Sequence, residues 1–303
     1  MMSRMRIGID LGGTKTELIA LDDTGRECLR LRRATPAGDY SATLSLMTNM
    51  VAQAEKEIGM RATVGIGTPG AIAGNSGRMQ NCNSTCLNGK PLREDMEALL
   101  GREVRLANDA NCFALSEAVD GAGCGAEVVF GVILGTGVGA GIVVHGKPLN
   151  GANGIGGEWG HNPLPAPRDD ERPGPICYCG RHGCVETWLS GPAMAADHKL
   201  LNGDTLSAKD IAGLAAAGDA DCAATLARYT ERLARALAGV INILDPNVIV
   251  LGGGLSHIAS LYAQVPDLWR QHVFSATINT RLLPPAHGDA SGVRGAAWLW
   301  EKK

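Results

Sequence analysis

The sequence predicts an α/β protein made of two similar halves. The segment from Gly8 to Thr14 aligns with the segment from Gly131 to Gly137, and in both an apolar run leads into a glycine turn. Segments whose apolar residues recur at helical spacing lie between such strand patterns. The length of 303 residues, with 45% apolar and 19% charged residues, is enough for about two domains with a sizeable core.

The first half begins with the pattern of an antiparallel strand meander. Two apolar segments, Arg6 to Asp10 and Thr16 to Leu21, flank the first glycine turn. A polar turn from Asp22 to Gly25 leads into another mixed segment. Because tight glycine turns join antiparallel strands, we expect strand, turn, strand, turn, strand.

A helix and two short strands follow. The larger apolar residues from Ser41 to Ile58 recur at helical spacing, and Gly59 is a typical helix end. The segments Val64 to Gly67 and Glu103 to Ala107 are expected to be strands. A helix from Pro91 to about Gly101 is expected between them, since proline is favoured in the first helical turn.

The second half repeats the alternation of strands and helices. A glycine-rich stretch from Gly121 to Ala126 marks the expected domain boundary, and an apolar strand from Val128 to Leu134 follows it. A single apolar stripe predicts a helix from Cys222 to Asp245. The run from Val248 to Gly254 is a buried strand that enters a glycine turn. The stretch from about 190 to 220 is rich in alanine, is broken by glycine, and is chemically uninformative.

The composition favours a small-molecule partner. A formal net charge of −3 and a pI near 6.2 give no basic field for nucleic acid or an anionic membrane. No apolar signal segment or membrane-length apolar run is present, which indicates a cytoplasmic protein. Nine cysteines, an odd number, favour metal binding or free thiols over a disulfide framework. Four of them are expected in the core: Cys28, Cys112, Cys124 and Cys222.

Three glycine turns suit the phosphates of a nucleotide. They comprise Gly12, Gly13 and Thr14, then Gly135, Thr136 and Gly137, and finally Gly252, Gly253 and Gly254. Backbone N–H groups of such turns can converge on phosphate oxygens. Asp10 lies just before the first turn, where a carboxylate can hold Mg²⁺, whereas the second half has Ile133 there. Each turn alone is equally well explained as a plain hairpin turn, and only their number favours a nucleotide.

Asp109 is the candidate general base. Together with Asn108 it follows a short strand, where a carboxylate can project into a cleft and accept the proton of an attacking hydroxyl. In isolation such a pair is more often a helix N-cap. The neighbouring glycine turns favour the catalytic interpretation.

One histidine and three cysteines have the spacing of a structural zinc site. The expected ligands are His161, Cys177, Cys179 and Cys184. Four protein ligands of this kind form a closed tetrahedral site that organises a loop. His182 lies in the same loop, so spacing alone leaves the choice of imidazole open, and three unliganded thiols are the alternative.

Two carboxylates, Glu158 and Glu186, flank this cluster. With its histidine they form a set of groups that can hydrogen-bond several sugar hydroxyls. For either glutamate alone, a solvated surface charge is the commoner situation. Their position beside the cluster favours a role in binding a polyol.

Six motifs together resemble the ROK family of repressors, open reading frames and kinases. They run from Asp10 to Lys15, Asn108 to Asn111, Leu134 to Gly139, Gly157 to His161, Cys177 to Glu186 and Leu244 to Gly254. The resemblance covers nearly the whole chain. The string from Gly157 to Pro165 is most similar to that of bacterial fructokinases of the manno(fructo)kinase type.

The resemblance implies an actin/hexokinase-like (ribonuclease H-like) ATPase fold, in which two α/β domains close on ATP and sugar in an interdomain cleft. The small domain would comprise residues 1–119 and 290–303, because the C-terminal helix from Gly292 to Trp300 returns to it. The large domain, residues 120–289, would carry the zinc loop. The resemblance also implies a homodimer.

The resemblance assigns roles to residues as well. Asp109 matches the catalytic base, and the matching sugar contacts are Asn83, Asn108, Asp109, Glu158, His161 and Glu186. The nucleotide contacts match Gly12, Gly13, Thr14, Gly135, Thr136, Gly137, Gly252, Gly253 and Gly254, with Lys15 beside the phosphates. The zinc ligands match Cys177, Cys179, Cys184 and His161, so His161 would serve zinc and sugar together. Many members carry an aromatic residue near Cys86, so a thiol there changes the shape of the sugar pocket.

The expected activity is phosphorylation of a hexose primary hydroxyl with ATP and Mg²⁺, with D-fructose as first choice. N-acetylglucosamine, glucose and mannose are the alternatives, since the same residues can hydrogen-bond a pyranose. A sugar-responsive repressor is less favoured, because only nine residues precede Asp10, too few for a helix-turn-helix. A catalytically silent sugar sensor is the third alternative, against which Asp109 and the phosphate turns argue.

Overall fold

The computed structural model describes residues 5–74 and 76–300, and this part of the chain contains two five-stranded sheets. In the first half the elements are β1 (Arg6–Leu11), β2 (Lys15–Leu21), β3 (Glu27–Ala34), α1 (Tyr40–Ile58), β4 (Thr63–Thr68), β5 (Ala71–Ile72), β6 (Met79–Gln80), α2 (Leu92–Leu100), β7 (Val104–Asn108) and α3 (Asp109–Val119). In the second half they are β8 (Val128–Leu134), β9 (Val138–Val144), β10 (Lys147–Pro148), α4 (Glu186–Leu189), α5 (Gly191–Asn202), α6 (Ala208–Ala216), α7 (Ala220–Leu244), β11 (Val248–Gly252), α8 (Leu261–Trp269), β12 (Arg281–Leu283) and α9 (Ser291–Trp298).

The two sheets have the same topology. The strand order is β3-β2-β1-β4-β7 in the first sheet and β10-β9-β8-β11-β12 in the second. In each, the central strand pairs antiparallel with the strand that follows it and parallel with a strand on its other side. The duplication predicted from the sequence is therefore confirmed, and each of the first two glycine turns leaves the central strand of a sheet.

Separate apolar clusters hold the two sheets. The first sheet packs against α1 and α2 through residues such as Ile9, Met47 and Met96, all of which are buried. The second sheet packs against α7 and α8, where Leu237 and Trp269 are buried. A third cluster, formed largely by α3, α9 and the faces that the sheets turn towards them, joins the two halves.

Two helices cross between the sheets. Helix α3 follows β7 of the first sheet and packs on β8 and β9 of the second. Helix α9 lies against β1 and β4, so the end of the described chain returns to the first sheet. Gly295 allows this crossing, because a Cβ there would overlap the backbone of Cys112.

The buried carboxylate of Glu117 hydrogen-bonds to both segments that connect the two halves. One oxygen of Glu117 accepts N–H groups from Ala122 at 2.9 Å and from Ala286 at 3.0 Å. The other accepts the Ser291 hydroxyl at 2.7 Å. Because Glu117 belongs to α3 and its partners lie on both connecting segments, these bonds hold the two segments to α3.

Most predicted elements are confirmed, and the expectation that Cys28 and Cys124 lie in the core is wrong. Helices α1 and α2 end at Gly59 and Gly101, both with left-handed backbone. The stretch from 190 to 220 holds α5 and α6. Cys28 and Cys124 are exposed rather than in the core, because they lie on an edge strand and in a turn, whereas Cys112 and Cys222 are buried. Among the described residues, no helix has the length and apolar content that a membrane span needs.

Candidate active site

A cavity of about 690 Å³ lies between the two sheets. Its walls include the carboxyl ends of β1, β4, β7, β8 and β11. Open α/β folds bind ligands at the carboxyl ends of their strands. Seven residues of the predicted site line the cavity: Asp10, Gly12, Gly13, Thr14, Asn83, Asp109 and Gly253. The geometry therefore unites the first glycine turn, part of the third turn and the candidate base in one space.

Backbone hydrogen bonds fix the first glycine turn at the edge of this cavity. The Gly12 N–H donates to the Lys15 carbonyl at 3.1 Å, and the Thr35 N–H donates to the Thr14 carbonyl at 3.0 Å. The Thr35 hydroxyl donates to the Gly12 carbonyl at 2.8 Å. Gly13, Thr14 and Lys15 remain exposed, so a ligand can approach the tip of a turn whose shape is already set.

Asp10 ends up in a position that disfavours its charge. Burial, followed by the negative charges of Asp109 and Glu17, raises the pKa of its carboxyl from 3.8 to about 6, against a smaller lowering by the Lys15 ammonium. A carboxylate crowded by other carboxylates is stabilised by a bound cation. The position therefore fits Mg²⁺, the metal expected from the sequence.

Asp109 is the first residue of α3, and its carboxylate faces the cavity. The N-cap is Asn108, whose side-chain oxygen accepts the Ala110 N–H at 2.9 Å. The same N–H lies 2.7 Å from Asp109 Oδ1. Although solvent reaches the side chain, desolvation by the surrounding walls raises the pKa of Asp109, and the charge of Glu158 raises it further. A carboxylate with a raised pKa in a cleft is a good candidate for a general base.

The second glycine turn is held from the sugar side of the predicted site. Glu186 Oε2 accepts the Val138 N–H at 2.9 Å, directly after the turn. Gly137 makes this approach possible, because a Cβ there would lie 2.6 Å from the same carboxylate oxygen. The Gly191 N–H donates to the Gly135 carbonyl at 2.8 Å. Glu186 thus joins the predicted sugar contacts to the predicted nucleotide contacts.

The histidine and the three cysteines of the predicted zinc site come together. One ligand atom from each of His161, Cys177, Cys179 and Cys184 lies within 4.8 Å of the others. The Cys179 and Cys184 sulfurs are 3.6 Å apart, and Cys177 Sγ lies 3.5 Å from His161 Nδ1. A tetrahedral zinc with Zn–S near 2.3 Å and Zn–N near 2.0 Å requires about 3.8 Å and 3.5 Å for these separations. The donor set therefore fits zinc.

The choice between the two imidazoles of this loop is also clear. His161 Nδ1 faces the sulfurs, whereas His182 Nδ1 lies 3.1 Å from the Gly174 carbonyl. Gly180 and Gly183 adopt left-handed backbone with φ of 86° and 68°, as expected for the two turns between the cysteines. The geometry agrees with the histidine that the resemblance implies.

Comparison with known proteins agrees with this fold and these motifs. The sequence pattern described as "ROK family" matches residues 6–303. The chain belongs to the ROK family. An N-acetyl-D-glucosamine kinase of Salmonella paratyphi C (strain RKS4594) is 41% identical over 299 residues, covering 97% of this chain and 99% of the relative.

Solved ROK structures share the whole fold. The ROK hexokinase of Thermus thermophilus is 30% identical, with a TM-score of 0.85 over 97% of this chain and 96% of that chain. A ROK family glucokinase from Streptomyces griseus, solved with glucose and AMPPNP, is 26% identical, with a TM-score of 0.78 over 97% and 98% of the two chains. The two-domain hexokinase-like fold expected from the sequence is confirmed.

This ROK protein has a further polar group beside the predicted zinc ligands that the sequence patterns did not indicate. The Tyr178 hydroxyl lies 2.8 Å from His161 Nε2, and the two rings meet edge to face with centroids 5.0 Å apart. Tyr178 is 79% exposed. Burial and the charge of Glu186, followed by weaker contributions that include Glu158, raise the pKa of the phenol to about 12. The phenol therefore lies near both glutamates of the predicted sugar site.

A buried ion-pair network anchors the same loop of the ROK protein to α7. Glu171 Oε1 accepts hydrogen bonds from Arg232 Nε and Arg235 Nη2, each at 2.8 Å. The Arg232 guanidinium also lies 4.5 Å from the ring centre of Trp188, in α4. All three charged residues of this network are buried. No local motif marks Glu171, because its partners lie more than 60 residues along the chain.

The remaining predicted site residues are not among those that line the cavity. Glu158 begins the short 3₁₀ turn Trp159–His161, close enough to Asp109 to influence its pKa. Cys86 lines the cavity beside Asn83 and is partly exposed. Of the predicted phosphate residues, those outside the lining are Lys15, Gly135, Thr136, Gly137, Gly252 and Gly254.

Proposed function

We propose that the protein transfers the γ-phosphoryl group of ATP to the primary hydroxyl of a hexose. The observation that carries this proposal is the position of Asp109, whose carboxylate shares one cavity with the glycine turn Gly12–Thr14. Phosphoryl transfer to a hydroxyl requires a base and a phosphate-binding turn that share one space. Similarity to a glucokinase solved with glucose and AMPPNP supports the same two ligands.

In this mechanism Asp109 accepts the proton of the sugar hydroxyl while the hydroxyl oxygen attacks the γ-phosphorus. The bond from phosphorus to the bridging oxygen breaks, and ADP leaves. The raised pKa of Asp109 suits this role, because a stronger base takes the proton more readily. Asp10 would hold Mg²⁺, which neutralises phosphate charge when bound, and Lys15 would lie beside the phosphates. The first, second and third glycine turns would donate backbone N–H groups to the phosphate oxygens.

The sugar would lie against Asn83, Asn108, Glu158, His161 and Glu186. N-acetyl-D-glucosamine is the hexose that the relatives support, since the similarity extends over 99% of the length of an N-acetyl-D-glucosamine kinase. This favours the alternative stated above over the first choice, fructose. One observation keeps D-fructose as a second candidate: the string from Gly157 to Pro165 resembles that of bacterial fructokinases, and it carries Glu158 and His161.

The test is a comparison of kcat/KM for N-acetyl-D-glucosamine, D-fructose, D-glucose and D-mannose with Mg-ATP, followed by ADP release. Asp109→Asn is the catalytic control, because an amide of the same shape keeps the sugar contact but cannot take the proton. We expect kcat in this variant to fall by roughly 10² to 10⁴ with the sugar Kd little changed. Wild-type turnover in Asp109→Asn would remove Asp109 from the mechanism, and no turnover of any hexose by the wild type would overturn the proposal.

We further propose that zinc binds the cluster of His161, Cys177, Cys179 and Cys184 as a structural ion. A closed four-ligand site fixes a loop and leaves no position for substrate on the metal. The resemblance also supports a homodimer, which light scattering tests, and use of ATP supports a cytoplasmic enzyme. The domains proposed are residues 1–119 with 290–303, and residues 120–289.

A further inference from the structure

Ser84 lies where the predicted sugar contacts meet the predicted phosphate contacts. It lines the same cavity as Asp109, and it directly follows Asn83, a predicted sugar contact. A Cβ built on Gly13, in the first glycine turn, would lie 3.4 Å from the Ser84 hydroxyl oxygen. The hydroxyl therefore lies beside the predicted phosphate turn, although the two residues are far apart in the sequence.

The backbone around Ser84 is fixed, whereas its hydroxyl is available to a ligand. The Asn88 side chain accepts the Cys82 N–H at 2.9 Å and donates to the Cys82 carbonyl at 3.2 Å, so it closes this segment into a loop. The Ser84 carbonyl accepts the Leu87 N–H at 3.0 Å. The Ser84 hydroxyl, in contrast, makes no hydrogen bond to the short 3₁₀ turn Thr85–Leu87 that follows, and the residue is partly exposed. The fold thus positions this donor without using it.

The phosphate that fits this position is the one that is transferred. The first glycine turn, the proposed base Asp109 and the sugar contact Asn83 all line one cavity with Ser84. During transfer the γ-phosphoryl group lies between the attacking hydroxyl and ADP, so its oxygens lie beside both the sugar and the turn. Because Gly13 has no side chain, the space between its backbone and the Ser84 hydroxyl is left for such an oxygen. Hydroxyl donors bind charged phosphate oxygens more strongly than neutral acceptors.

We propose that Ser84 is a further catalytic residue, whose hydroxyl donates a hydrogen bond to a non-bridging oxygen of the γ-phosphoryl group in bound ATP and during its transfer. The inference rests on the proposed function and refines it. The hydroxyl keeps its proton and forms no bond to phosphorus. It orients the group and stabilises the charge on its oxygens while the bond to ADP breaks. ADP has no γ-phosphoryl group, so Ser84 contacts the triphosphate and not the diphosphate.

The Ser84→Ala variant tests this contact through the difference between two nucleotides. Calorimetry with Mg²⁺ gives the Kd of AMPPNP, which has a γ-phosphoryl group, and the Kd of ADP, which has none. The ratio of the AMPPNP Kd to the ADP Kd should rise about tenfold to 100-fold, the effect of one hydrogen bond to a charged group. The kcat/KM for ATP, measured by ADP release with the best hexose of the four-sugar panel, should fall by at least as much. The ADP Kd and the sugar Kd without nucleotide should stay at wild-type values, which also shows that the variant is folded.

Ser45→Ala is the matched control, because it removes an exposed serine hydroxyl that donates to the Ser41 carbonyl at 3.0 Å on α1. It should leave both nucleotide Kd values and the sugar Kd unchanged. An unchanged ratio of the two nucleotide Kd values in Ser84→Ala overturns this inference alone, as does a weaker sugar Kd, which would place the hydroxyl on the sugar instead. A wild type that binds and phosphorylates no hexose overturns the proposed function.

Discussion

Replacing Asp10 by asparagine should stabilise the fold while it abolishes activity. The carboxylate sits on the central strand of the first sheet, and burial is the largest cause of its raised pKa. An amide of the same shape needs no charge in this position. The proposed magnesium ligand is therefore a group whose ionised form is disfavoured by burial and by the neighbouring carboxylates, as is common at functional positions.

The size and sign of the effect follow from the pKa. Its rise from 3.8 in the unfolded chain to about 6 in the fold corresponds to roughly 3 kcal/mol. Because the folded pKa is the higher one, the fold binds the proton more tightly, and ionisation destabilises it. The penalty is complete above about pH 6 and disappears below about pH 4, where both states are protonated.

The assay is urea unfolding without Mg²⁺ or nucleotide, at pH 7.5 and at pH 4. We expect Asp10→Asn to be more stable than the wild type by roughly 1 to 3 kcal/mol at pH 7.5, with the difference shrinking towards zero at pH 4. Asp267→Asn is the control for loss of one negative charge, since its side chain is 83% exposed. A variant that is no more stable than the wild type at pH 7.5 would refute the reasoning.

Three further predictions test the base, the ion-pair network and the metal. On the acid side, kcat/KM should fall with an apparent pKa near 6, because Asp10, whose pKa is about 6, and Asp109, whose pKa is raised by burial, must both be ionised. A value of kcat/KM that does not change between pH 7.5 and pH 5 would contradict this. Glu171→Gln should lower the unfolding free energy by roughly 3 kcal/mol at pH 7, since hydrogen bonds from Arg235 and Arg232 outweigh burial and lower the Glu171 pKa from 4.5 to about 2. That stabilisation is present above about pH 4.5 and is lost as the pH falls towards 2, so the variant and the wild type should converge in acid; a neutral effect at pH 7 would exclude the network as an anchor. Cys179→Ser should lose zinc by metal analysis and bind sugar more weakly, and unchanged zinc would remove Cys179 from the site.

The sequence predicts the paired sheets because their signals are local. A strand, a glycine turn and a second strand occur within about twenty residues, and the copy in the second half repeats the order. Helices α5 and α6 cannot be predicted in this way, because alanine-rich segments with few large apolar residues give a weak periodic signal. Exposure of Cys28 and Cys124 depends on which strand lies at an edge, and that is a property of the assembled sheet.

In the candidate site, too, residues in local motifs can be predicted from the sequence, whereas contacts between distant segments cannot. The first glycine turn and Asp109 occur in short motifs and line one cavity, and the four predicted zinc ligands lie together in another group. Contacts that cross the chain could not be predicted: Glu171 meets Arg232 and Arg235, and Glu186 meets the N–H of Val138. Such contacts depend on tertiary packing, for which no spacing rule exists within one sequence.

The contact of Glu186 with the second glycine turn joins two parts of the enzyme that the motifs treat separately. Cys184, a proposed zinc ligand, lies two residues before Glu186, and the Val185 N–H donates to the Asn162 carbonyl next to His161 at 2.8 Å. The metal would therefore fix the start of α4, and with it the carboxylate that holds Val138. Because Glu186 Oε2 accepts the Val138 N–H at 2.9 Å directly after the turn, a displaced Glu186 leaves the second glycine turn without this support. Loss of zinc should thus weaken ATP binding as well as sugar binding, even though the cluster is closed and touches no phosphate.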